Sequence, residues 1–273
     1  MKYWKYFTSI ILVVAIIVVF PIKTSAAVTQ TGSASAFNIT TANTGTVSTT
    51  ITVPSDATMV VVGVSGFRAE ATFLSGGNMT FTKGGVDTTM RKGSGGDSGT
   101  SSFQSAIFYL ESPDTGSNKT LKWDWQGTNT ASNAPIIEVI FFTGTDVSAT
   151  PVRGTAGGIN TSDTPYTSGT ITAQSGDLIV AAIAGFAGTS EGTCASYTNL
   201  STTIVQYTRF GSADGALASG SPSGNTTVSC ATDTNWADGG IVGISIKSSG
   251  VVAANVPVVE VKGTVIVNGA LKI

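Results

Sequence analysis

Histidine is absent from all 273 residues, cysteine occurs twice, and only 11% of the chain is charged. Without histidine, Ser-His-Asp and Cys-His nucleophile systems and His-ligated zinc are excluded. Fourteen Lys and Arg against sixteen Asp and Glu leave a formal charge of -2. That balance argues against nucleic acid, whose phosphates demand clustered cations, and offers no polybasic attraction to a membrane surface. No GxxxxGK[ST] occurs, and the glycine-rich GSGGDSGTSS from Gly93 precedes no helical pattern, so a phosphate cradle is not expected. No amphipathic helix stands out.

What is present begins with MKYWKYFTSIILVVAIIVVFPIKTSAAV, where Lys2 and Lys5 precede an apolar run from Ile10 to Phe20 and the small residues Ser25, Ala26 and Ala27. That order is the one found in secretory signal peptides. The run is short for a membrane span of about 20 residues. The reading is therefore a removed signal over 1–27, with a retained membrane anchor as the alternative. No cysteine follows the run to take a lipid, and it lacks the glutamate of a type IV pilin helix. In an oxidising compartment Cys194 and Cys230 are expected to form one disulfide; with no His and no CxxC, a metal pair lacks partners.

The whole chain is 41% hydrophobic, and the part after residue 27 is rich in Val, Ile, Thr and aromatic residues that suit strands. Two-fold periodicity broken by Gly, Pro, Asn and Ser clusters predicts strands over 47–53, 58–65, 79–83, 106–111, 119–125 and 136–143. A second series covers 168–172, 177–184, 203–207, 226–231 and 241–247. The two series are related: TITVPSDATMVVVGVSGF from Thr50 matches TITAQSGDLIVAAIAGF from Thr170, and SPDTGSNKTLKW matches SPSGNTTVSC in the same order, a repeat of about 110 to 120 residues. Each copy would end on an unsatisfied apolar face. The reading is an all-β, jelly-roll-type antiparallel sandwich made of two related halves that face each other, occupying 28–248.

The repeat bears on TLKWDW, which holds two of the chain's four tryptophans. Trp123 aligns with Cys230 and Leu121 with Val228, so the face carrying Trp123 is read as core, and Lys122, Asp124 and Gln126 alternate outward. After Lys247 a small-residue linker leads to VVEVKGTVIVNGALKI. Its Asn-Gly turn predicts a strand pair within 249–273, packed on the domain or, alternatively, added to the sheet edge of another copy.

Taken in order, MVVVGVSGF, TFTKGGVDTTM, IFYLESPDTGSNKTLKW, EVIFFTGTDVSATPV, GDLIVAAIAGF and NWADGGIVGISIK resemble a widespread group of secreted bacterial jelly-roll domains, similar to concanavalin-like and carbohydrate-binding sandwiches. The resemblance implies a fold and an extracellular setting, and no activity that transfers to particular residues.

Candidate sites are few. Asp233, Asn235 and Asp238 in ATDTNWADGG offer hard oxygen ligands for calcium, or ordinary Asx turns. Tyr109 alternates with Phe108 and Leu110, and Trp236 lies in the polar loop, so these two are the candidates for a sugar platform, with aromatic burial as the competing use. Tyr197 and Tyr207 are weaker members of the same set. A glycosidase needs only two carboxylates, available among Asp87, Asp97, Glu111, Asp114, Asp124, Glu138 and Asp146. Six Asn-x-Ser/Thr triplets begin at Asn38, Asn78, Asn118, Asn160, Asn199 and Asn225, and matter only in a glycosylating host. The expectation is a secreted, non-catalytic module at the cell surface that recognises glycans or adheres, with no required cofactor beyond optional calcium. A self-assembling structural protein using 255–273 is the alternative, and a glycosidase the third.

Overall fold

The computed structural model describes residues 26–38, 45–67, 78–93, 98–99, 103–125, 136–160, 165–186, 194–207, 213–232 and 238–250. Residues Ser25–Gly250 belong to one compact unit. Every regular element among the described residues is a strand. The first half runs β1 (Thr29–Asn38), β2 (Gly45–Val53), β3 (Met59–Phe67), β4 (Asn78–Lys83), β5 (Val86–Thr89), β6 (Arg91–Lys92), β7 (Ser98–Gly99), β8 (Phe103–Glu111), β9 (Gly116–Trp125) and β10 (Ile136–Thr143). The second runs β11 (Val152–Asn160), β12 (Tyr166–Thr167), β13 (Leu178–Phe186), β14 (Cys194–Thr198), β15 (Thr202–Tyr207), β16 (Ala213–Gly220), β17 (Ser229–Thr232) and β18 (Asp238–Ile246). The strand pair expected within 249–273 lies outside the described residues.

In the first half an inner sheet, ordered β1-β10-β3-β8-β6 with β7 also on β8, faces an outer sheet ordered β2-β9-β4-β5. In the second half an inner sheet ordered β11-β18-β13-β16-β15 faces an outer sheet ordered β12-β17-β14. All paired strands are antiparallel. The two halves repeat one plan: β10 lies between β1 and β3 as β18 lies between β11 and β13, and β9 between β2 and β4 as β17 between β12 and β14.

The relatedness of the halves and their antiparallel all-β character are as expected, but the layering differs. Each half carries its own covering sheet, so the unit Ser25–Gly250 has four layers, outer, inner, inner and outer, instead of one pair of facing sheets. The cause is legible in the inner strands. MVVVGVSGF, IIEVIFFT and LIVAAIAGF are apolar at consecutive positions, the pattern of strands buried on both faces. Val60, Val62 and Val64 on β3 point into the first sandwich, with Phe81, Leu121 and Trp123 opposite. Met59 and Val61 on the other face meet Val180, Ala182, Leu217, Val242 and Ile244 of the second inner sheet. A separate interior, holding Tyr166, Ile171, Ile183, Val228, Cys230 and Ile241, fills the second sandwich.

Trp123 is 1% exposed and stands on the central strand of the first outer sheet, between Val47 and Met79. Cys230 occupies the matching place in the second, between Tyr166 and Tyr197, and is fully buried. The core reading of Trp123 and the repeat alignment therefore agree with the structure. Cys230 is bonded to Cys194 on the neighbouring strand, their Cα atoms 5.5 Å apart. Among the described residues no helix is long and apolar enough to cross a membrane.

One buried ion pair fastens the turn before β13. Asp177 receives the Arg153 Nε at 2.6 Å and Nη2 at 3.2 Å, the Gln174 amide at 2.9 Å and the Ser245 hydroxyl at 3.0 Å. Burial pushes its carboxyl up, but the hydrogen bonds from Arg153, Gln174 and Ser245 outweigh it and hold the group below the usual carboxylate range. A depressed folded value stabilises the fold above the unfolded value of about 3.9, and that contribution is lost as pH falls through the folded one. Asp177→Asn is expected to lower stability by about 1 to 3 kcal/mol at pH 7 and to flatten this acid-side loss, as read by urea midpoints between pH 6 and 2.

Candidate functional site

The first sandwich is open along one side, where β1 ends the inner sheet and β2 ends the outer sheet. Between these two strands runs a groove of about 600 Å³ lined by Gly32, Ser33, Ser35, Ala36, Phe37, Thr49, Thr50, Ile51, Thr52 and Pro54. The strand periodicity explains its composition. On β1, Ser35 and Phe37 pair with Val139 and Ile137, so they share the side that faces the sandwich interior. On β2, Thr49 pairs with the inward Leu121. Phe37 and Ile51 are half-buried and packed against the first interior, while Ser33, Ser35, Thr50 and Thr52 are exposed. An irregularity in the pairing of β1 between Thr31 and Ser35 turns the strand beside the groove. The Thr31 hydroxyl donates to Asp56 Oδ1 at 2.6 Å and fixes that turn. The ten lining residues carry no charge, one aromatic ring and five hydroxyls.

Tyr109 does not lie on an outer surface. Alternation does turn it away from Phe108 and Leu110, but the side it faces is the contact between the two inner sheets, where it is half-buried against the apolar cluster there. Burial pushes its phenol above the usual tyrosine range, against the opposing charge and hydrogen bond of Arg91. Arg91 in turn reaches Glu111 Oε1 at 2.9 Å and the Ala149 carbonyl at 2.6 Å, tying β6 and β8 to the connection between the halves. Lys83 Nζ donates to the Glu111 carbonyl at 2.8 Å.

The other sequence candidates divide between placed and unplaced. Asp233, Asn235 and Trp236 lie outside the described residues; Asp238 opens β18, and its side chain is likewise outside them. Tyr197 is half-buried against the second interior. Among the described residues no group of three or more His, Cys, Asp or Glu converges. The described acids of the first half are dispersed over separate turns and pairs. Asp114 accepts the Gly84 and Gly85 amides at 2.7 and 2.8 Å, which hold its carboxyl below the usual range. Asp124 accepts from the Thr46 hydroxyl at 3.3 Å, and Asp146 caps Ser148 at 2.8 Å. Glu138 is completely buried. Of the acceptor triplets, Asn225 accepts the Ala173 amide and Asn199 donates to the Thr227 carbonyl, each fixing a turn.

The groove escapes a reading of the sequence because its first wall, TQTGSASAFN, looks like a polar lead-in after an apolar N-terminal segment. The Ser35 and Phe37 alternation is the one cue that β1 is a strand with an inward side. No family model, curated protein or solved structure matches the chain.

Proposed function

We propose that this chain is a secreted, non-catalytic module that recognises neutral glycans at the cell surface, through the groove between β1 and β2. The observation that carries the reading is the lining itself. An open, uncharged trough with an aromatic floor and flanking hydroxyls suits a polyhydroxylated chain, which offers CH faces to a ring and hydroxyls to polar side chains. The absence of any carboxylate from that lining favours recognition over hydrolysis there. Extracellular placement is supported by the disulfide and by the signal-like segment over 1–27. The strand orders β1-β10-β3-β8 and β2-β9-β4-β5 support a jelly-roll arrangement within the first half.

The test is retention of the mature protein on insoluble neutral polysaccharides, with and without chelator. Phe37→Ala is expected to weaken binding about tenfold, equivalent to about 1.4 kcal/mol. Thr50→Arg, at an exposed position, is expected to abolish binding while leaving the melting temperature unchanged. Unaltered retention in both variants would remove the groove from consideration, and no retention on any glycan would sink the recognition reading. Loss of retention with chelator alone would shift attention to Asp233, Asn235 and Asp238.

A second reading rests on a different observation: among the described residues β1 and β2 each present one unpaired edge, and an unpaired edge can accept an added strand. In that reading copies of the chain assemble through 255–273. Deleting those residues would then abolish multimers in size-exclusion chromatography, and a monomeric full-length protein would count against assembly.

A further inference from the structure

Glu138 stands in the middle of β10, an otherwise apolar strand, and is 0% exposed. It lies on the face opposite Ile137 and Val139, with Ile140 and Phe142, which places it in the contact between the two inner sheets. Neither carboxyl oxygen has a hydrogen-bond partner among the described residues. Its neighbours in register are Ala36 on β1 and Gly63 on β3. A Cβ at Gly63 would sit 3.0 Å from Glu138 Oε2 and 2.8 Å from Leu217 Cδ2 of β16. The glycine thus leaves room for the carboxyl against the facing sheet.

The internal repeat shows that the architecture does not need this arrangement. In the second half the pair matching Glu138 and Gly63 is Val242 and Ala182, and Ala182 is flanked by Leu217 as Gly63 is flanked by Ile107. Val242, Ala182 and Leu217 are fully buried in the same contact. One half therefore fills the position with hydrocarbon and the other with an acid. A buried polar group that breaks its local pattern without a partner is the kind of exception that marks a working part of a fold.

Among the described residues Glu138 is flanked in register by Ala36 and Gly63 and faced across the contact by Leu217 of β16, none of which titrates. Tyr109 shares that contact from β8, beyond β3, and on β15, which also packs against β10, Tyr207 pairs in register with Gly215. On the flanking strands Asp214 of β16 pairs in register with Gly185, and Asp238 stands at the far start of β18. Burial with no compensating charge holds the Glu138 carboxyl well above the usual range.

We propose that Glu138 makes the contact between the two sandwiches proton-linked: closed while the carboxyl is protonated, and loosened when it ionises. For an acid whose folded value is raised, the stabilisation is complete below the unfolded value of about 4.3 and is lost as pH rises toward the folded one. Within that window each pH unit lowers the folding constant by up to tenfold. This is the opposite sign to Asp177, so the two groups limit the fold from opposite sides of the pH scale.

The test is denaturant unfolding of the full mature chain from pH 4 to 9 for wild type, Glu138→Gln and Glu138→Val, the last copying the hydrocarbon that Val242 supplies in the other half. The expected result is a wild-type folding constant that falls more than tenfold relative to both variants between pH 5 and 8. Hydrogen exchange in β3 and β16 is expected to show the corresponding loss of protection in wild type alone. A ratio independent of pH, or matching exchange in wild type and variants, would overturn the proposal. So would failure of both variants to fold, since the position would then require a carboxyl for architecture.

Discussion

Replacing Trp123 with alanine is expected to cost about 3 to 5 kcal/mol, against a total stability of order 5 to 15 kcal/mol for a native domain. The ring is 1% exposed on the central strand of the first outer sheet, within the cluster that includes Phe81, Leu121 and Phe141. Removing it leaves a cavity that the flanking strands β2 and β4 cannot both close, because each is held in register with β9 by backbone pairing. Lys122→Ala, one residue away on the opposite face, is expected to change stability by no more than about 0.5 kcal/mol. Guanidinium midpoints compare the two directly. A cost below about 1 kcal/mol for Trp123→Ala would mean that the ring is not a core residue, and the sugar-platform reading of TLKWDW would return.

Reducing the Cys194–Cys230 bridge is the second large perturbation. The two residues are separated by 36 in sequence, and closing a loop of that size is worth about 4 kcal/mol in the chain-entropy description. Cys230 is fully buried in the place that Trp123 takes in the other half, so the free thiol still fills its site. Reduction therefore removes the link without opening a cavity. The expected outcome is a lowered guanidinium midpoint in reductant, with early loss of amide protection in β14 and β17, while the contact between inner sheets persists. An unchanged midpoint would show that the second outer sheet holds without its staple.

Much of this architecture is written in the strands themselves. Ten of the stretches expected from periodicity overlap strands, because β-branched and aromatic runs bounded by turns leave little choice of backbone. Some of the strands that periodicity does not reveal are rich in small residues. β16, ADGALASG, is interior to its sheet, with Ala216 and Ala218 toward one interior and Leu217 toward the other. Its alanines fit where two sheets approach closely, a tertiary demand that no local propensity displays. β11, VRGTAGGIN, is similar: a Cβ at Gly158 would overlap the Thr167 carbonyl, so glycine there reflects the close approach of the next strand, β12. The stretch 168–172 has the periodicity of a strand, whereas only Ile171 forms a bridge, to Thr226.

The four-layer arrangement is also present in outline. Continuous apolar runs in β3, β10 and β13 signal burial on both faces, a cue that the expectation of two facing sheets leaves unused. The same oversight places Tyr109 outward, since it equates turning away from one interior with meeting solvent. The groove is hidden for another reason. A lining of hydroxyls and one half-buried ring forms no motif, and although β1 and β2 follow one another in the chain, nothing local shows that they end two different sheets.

The most direct measurement of the recognition claim is amide chemical-shift mapping of residues 28–273 during titration with a neutral oligosaccharide that the protein retains. Shifts concentrated at 33–37 and 49–52, saturating together and lost in Thr50→Arg, are the expected result. Shifts centred instead on 233–238, or saturable binding that leaves both walls of the groove untouched, would contradict it.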